Sequence, residues 1–101
     1  MMAAGASTEI ASWRTGNQLY EECRKATPLF AFGYIFGVLD GEEALGELYE
    51  RQRTFCLPAN VTEQQVFDVV CRYLDTYPER RQDTAGWLAT GALFEAWPCP
   101  Q

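Results

Sequence analysis

The chain has 101 residues, 48% of them hydrophobic, and a net charge of −6 from 14 acidic and 8 basic residues, with no histidine. That length suits one domain, and that hydrophobic content excludes a disordered segment. An acidic chain without clustered Lys and Arg is not a nucleic-acid or anionic-membrane binder and suits a basic or neutral partner.

Residues 1–12 are small and mostly polar and are expected to form a flexible arm ahead of one helical domain over 13–101. The start lacks the basic and apolar regions of a signal peptide, so an exported form would be a mature chain with a replaced start. Thr15 and Gln18 have the spacing of a capping box and predict a first helix over about 16–25, with Leu19, Tyr20 and Cys23 as its apolar stripe. Thr27-Pro28 reads as an N-cap followed by proline at the first helical position. The second helix, Pro28 to Asp40, is apolar nearly all round and is expected to be the central post of the core. Gly33 and Gly37 lie one turn apart in it, each costing roughly 1 kcal/mol relative to alanine. Close packing of another helix against them is the expected compensation, and a ligand groove is the alternative.

Asp40-Gly41 is expected to break or bend the chain. The segment Gly41 to Thr54 then resumes as a short charged helix, with Ala44, Leu45, Leu48 and Tyr49 at helical spacing. Its charges form either a solvated face or a partner surface. Phe55 to Pro58 is predicted to be extended, because the residue before proline avoids the helical region. Thr62 with Gln65 opens a third helix whose Val66, Val70, Tyr73, Tyr77 and Phe67, Cys71, Leu74 rows face the core, ending at Pro78. Asn60-Val61-Thr62 would also serve as a glycosylation sequon in a secreted eukaryotic factor, but an N-cap is the simpler role for Thr62. Asp83 is predicted to cap a fourth helix with Leu88, Ala89, Ala92, Leu93 and Ala96 inward, stopped by Pro98-Cys99-Pro100. The fold class is therefore all-α, a bundle of four to five helices in which the third and fourth form an antiparallel hairpin. No run approaches the roughly 20 apolar residues of a membrane span.

Cys23, Cys56, Cys71 and Cys99 contain no CxxC pair, which disfavours zinc and thioredoxin-like chemistry and favours two disulfides in an exported protein. In the hairpin, Cys56 and Cys99 fall side by side, whereas Cys71 and Cys99 are out of register by far more than a disulfide spans. Cys56–Cys99 with Cys23–Cys71 is favoured, and Cys23–Cys99 with Cys56–Cys71 is the second choice.

Without histidine the commonest general base and the usual Ser or Cys nucleophile arrangements cannot be built. Adjacent carboxylates such as Glu42-Glu43 point in different directions on a helix, and there is no phosphate-binding loop. No catalytic residue, metal or cofactor is expected.

The motifs GNQLYEEC (16–23), GYIFGVLD (33–40), FCLPANVTEQQ (55–65), VVCRYLDTYPE (69–79) and ATGALFEAWPC (89–99) together resemble the Tai/Rap family of periplasmic immunity proteins. The resemblance implies an all-helical, disulfide-bonded periplasmic protein, often a homodimer. Its partner would be a peptidoglycan amidase delivered by a type VI secretion system, whose active site it occludes. Relatives often carry a cysteine just before the GYIxGV motif, where this chain has Ala31-Phe32, so their disulfide pairing does not transfer directly. The shared motifs suit core packing, which leaves Gly41 to Thr54 for effector specificity. Glu42, Glu43, Glu47, Tyr49, Glu50 and Arg51 are the expected contacts, and the turn Tyr77 to Gln82 is the second candidate surface. A periplasmic acid-stress chaperone, which would expose apolar surface as its carboxylates protonate, is the alternative function.

Overall fold

The computed structural model describes residues 14–100; the arm expected over 1–12 lies outside them. Four α-helices follow in order, α1 Gly16–Cys23, α2 Leu29–Tyr49, α3 Glu63–Thr76 and α4 Ala85–Ala96, with a 3-10 turn Pro78–Arg80 between the last two. Both predicted capping boxes form. Thr15 and Gln18 at α1, and Thr62 and Gln65 at α3, exchange side-chain and backbone hydrogen bonds reciprocally.

The other two helix starts differ from expectation. Pro28, not Thr27, is the N-cap of α2, and no side-chain cap forms there. At α4 the N-cap is Thr84 rather than Asp83, again without a side-chain cap. At α4 tertiary structure does the capping instead. The Ala85 N–H donates to the Arg14 carbonyl at 2.8 Å, and in return the Gly16 and Asn17 N–H groups donate to the carbonyls of Asp83 and Arg81, each at 2.8 Å. These reciprocal bonds satisfy orphan donors at two helix starts and fasten α1 to α4. Gly16 makes the approach possible, since a Cβ there would meet the Leu88 side chain and stand 2.8 Å from the Arg81 carbonyl oxygen.

The core lies mainly between α3 and α4, which pack most extensively. Val66, Phe67, Val70 and Leu74 from α3 meet Leu88, Ala89, Ala92 and Leu93 from α4, and Leu19 of α1 completes the cluster. α2 is not the central post. It buries only Ala31 and Ile35 fully, with Phe32, Phe36, Val38 and Leu39 half-buried, and Phe32 stacks on Phe67 with ring centroids 4.3 Å apart. Gly33 and Gly37 face outward with nothing within 4 Å of a Cβ, which overturns the expected close approach of another helix within the chain. The helix is apolar all round for a different reason: its outer face is apolar yet uncovered.

The expected break at Asp40-Gly41 does not occur. α2 runs through it to Tyr49, a rod of about 32 Å. Glycine in a helix costs only about 1 kcal/mol, and the good helix formers Glu42, Glu43, Ala44 and Leu45 follow immediately. Two disulfides close the fold with the favoured pairing. Cys23–Cys71 joins the end of α1 to α3 with Cα atoms 6.0 Å apart, and Cys56–Cys99 joins the segments flanking the hairpin at 4.8 Å. The Cys56 N–H donates to the Trp97 carbonyl at 2.9 Å, which seats that second bridge.

Candidate functional site

The second half of α2 overhangs the core. The helix face that buries Ala31 and Ile35 continues through Glu42, Gly46 and Tyr49, but beyond Glu42 there is no core left to meet. What lies there is the returning chain. Glu50 ends the helix in the left-handed region, with φ 51°, and its N–H bonds to the Gly46 carbonyl. Arg51 also donates its N–H to that carbonyl, at 3.2 Å. This reversal sends residues 51–57 back along the helix toward the core.

Three side-chain contacts pin that return. Arg51 pairs with Glu42 at 3.2 Å, and the Thr54 hydroxyl donates to the same carboxylate. Arg53 forms a bidentate pair with Glu43 at 2.6 and 3.0 Å. The Arg53 hydrogen bond, reinforced by its charge, holds the Glu43 carboxyl below its usual pKa. Helix and return enclose an open cleft of about 510 Å³, with Leu39, Phe55 and Leu57 as its apolar wall and Asp40, Glu43 and Arg53 as its polar one.

The six expected contact residues therefore divide. Glu42 and Glu43 of α2 face the returning chain, and Arg51 within that chain pairs with Glu42, so that these three hold its shape. Glu47, Tyr49 and Glu50 are exposed at the overhanging tip, Tyr49 at 70%. Leu48, 73% exposed, and Leu45 lie beside them. The sequence puts Leu45 and Leu48 at helical spacing on a charged segment, and in the fold both are exposed.

In the second candidate surface, Tyr77 to Gln82, Pro78, Glu79, Arg80 and Gln82 are exposed, while both arginines also hold contacts within the fold. Arg81 donates through Nε to the Leu74 carbonyl at 2.7 Å, capping the end of α3, and its guanidinium lies 3.6 Å from the centroid of the Tyr20 ring. Arg80 stacks over Tyr77 at 4.1 Å and donates to the Tyr73 hydroxyl at 2.7 Å, the bond chiefly responsible for raising its pKa. Two exposed aromatics on α4, Trp87 and Phe94, escaped the sequence reading altogether, although their seven-residue spacing was visible.

With this geometry in view, the decisive comparison is that the family described as Rap1a immunity proteins matches residues 15–99. The chain belongs to the Rap1a immunity protein family. Its role is accordingly that of an immunity protein that binds a cognate effector protein. The matched span of this Rap1a family member runs from the α1 cap to the final cysteine, so it takes in both disulfides and the overhanging tip. No curated protein and no solved structure matches the chain. The two disulfides suit an oxidising compartment, and no helix among the described residues is long and apolar enough to cross a membrane.

Proposed function

We propose that this protein is a periplasmic immunity protein that neutralises a type VI secretion peptidoglycan amidase by seating itself over the amidase's active-site cleft. The observation that carries the reading is the overhang. A rigid helical tip with an aromatic and two apolar side chains exposed, edged by Glu47 and Glu50, suits insertion into a concave, positively edged site. The ion pairs of Glu42 and Glu43 stiffen that tip before binding, which lowers the ordering cost on association. Neutralisation by occlusion asks no catalytic group of the immunity protein.

The same reading includes a homodimer formed across the outer face of α2. Leu29 is 73% exposed there, Phe30 and Leu48 also lie open, and the row 29, 33, 37, 41, 44, 48 carries no charge. A continuous apolar strip of this kind on a small acidic protein is best covered by a second copy in antiparallel arrangement.

The test is titration of the protein into a type VI secretion cysteine amidase, following binding and peptidoglycan cleavage together. Tyr49→Ala with Glu47→Lys is expected to weaken binding at least tenfold and to restore cleavage. Unchanged binding by that variant would reject the tip as the contact surface.

A further inference from the structure

Trp87 and Phe94 are 74% and 53% exposed and lie two turns apart on one face of α4, with Gly91 between them. They flank a cleft of about 430 Å³ whose remaining polar walls are Arg80, Asp83 and Glu95. Arg80 is already engaged by Tyr73 and Tyr77. Asp83 and Glu95 form no ion pair among the described residues. The cleft thus presents an exposed indole and two carboxylates without an ion-pair partner, against one guanidinium that two tyrosines already hold, a net acidic combination that attracts a guanidinium or ammonium group.

Phe94 also lines a neighbouring cleft of about 300 Å³ together with Gln52, Arg53 and Thr54 of the returning chain. Arg53 in turn lines the larger cleft beneath the overhang. One surface therefore runs from the α2 tip, past Arg53 and Phe94, to Trp87.

We propose that the outer face of α4 is the second half of the effector-binding surface, and that the Trp87 cleft receives an arginine or lysine side chain of the effector. This rests on the immunity reading above. The continuity with the α2 tip selects the effector as occupant over a second copy, which the outer face of α2 takes. The bound cation lies over the indole with Asp83 and Glu95 as counter-ions, while Phe94 packs against the aliphatic stem or an adjoining apolar residue of the effector. Electrostatic attraction of this type makes association faster and salt-sensitive.

The experiment measures affinity of the wild type, Trp87→Ala, Trp87→Phe and the double variant Asp83→Asn/Glu95→Gln for that amidase at low and high salt. Trp87→Ala should weaken binding about tenfold or more, Trp87→Phe much less, and the double variant should lose most of the salt dependence. If the wild type binds and all variants bind equally, the α4 cleft is rejected while the immunity reading stands. If the wild type fails to bind, both fall together. In parallel, the Trp87 indole N–H signal is followed by NMR during titration with N-acetyl-arginine amide and with its neutral citrulline counterpart. A shift with the first alone supports the cleft, and no shift, or equal shifts with both, rejects it.

Discussion

Arg81 shows how much a single side chain can settle in a chain this small. It sits in a turn that reads as polar surface, yet it caps the α3 carbonyls and stacks on Tyr20, tying α1 to the end of α3. A cation at a helix C-terminus is favourable, and its loss leaves the partly buried Leu74 carbonyl without its donor. Arg81→Ala is expected to cost about 2 kcal/mol, read as a shift of the urea midpoint at constant slope. Two glycine substitutions should act in opposite directions. Gly16→Ala puts a methyl against Leu88 and the Arg81 carbonyl and should destabilise by about 1–3 kcal/mol. Gly33→Ala meets open space and should raise monomer stability by up to about 1 kcal/mol. Calorimetric melting of both variants checks the pair. Glu43 adds a pH effect with a definite sign. Its pKa is depressed by the Arg53 hydrogen bond, so the pair contributes above the ordinary carboxylate range and is lost as pH falls through the depressed value. The pair is exposed, so acid should loosen the 51–54 segment with little change in global stability, as amide relaxation measurements during titration would register.

At the level of elements, α1 and α3 were legible because their starts are local: a threonine and a glutamine three residues apart carry the whole signal. α4 begins where no side-chain signal exists, since its first donor is satisfied by the distant Arg14 carbonyl. α2 misled for two reasons. A helix apolar all round does not reveal from sequence which face the core takes, so the glycines were assigned inward although Ala31 and Ile35 hold that side. Gly41 then looked like a break because its local cost is visible, whereas the Glu42 contacts with Arg51 and Thr54 that help fix the helix beyond it are non-local. The charged stretch was legible, but not that Glu42, Glu43 and Arg51 pair within the chain while Glu47, Tyr49 and Glu50 stay exposed. The helix end itself makes a prediction. Glu50 adopts a left-handed conformation that costs a side-chain-bearing residue roughly 1–2 kcal/mol, so Glu50→Gly should stabilise by about 1 kcal/mol in chemical denaturation.

For the whole molecule, the disulfides and the overhang divide the work. The two bridges close loops with sequence separations of 48 and 43 residues, and each contributes about 2–4 kcal/mol in a domain whose core is small. They hold the α1, α3 and α4 core, which leaves α2 free to present one apolar face and one projecting end. The positions at which the sequence misled, the glycine face and the tip beyond Gly41, are those that the protein's own core leaves uncovered and that the proposed function assigns to a second copy and an effector. That is the expected pattern for a protein built to be bound.

The central claim, that the protein neutralises an amidase by covering its active site, is tested most directly by adding increasing amounts of it to a type VI secretion cysteine amidase and measuring cleavage of peptidoglycan stem peptides. The account predicts that cleavage falls to background as the two reach equal amounts, and that the Tyr49→Ala/Glu47→Lys variant requires a large excess. Full cleavage in the presence of saturating, bound wild-type protein would contradict it.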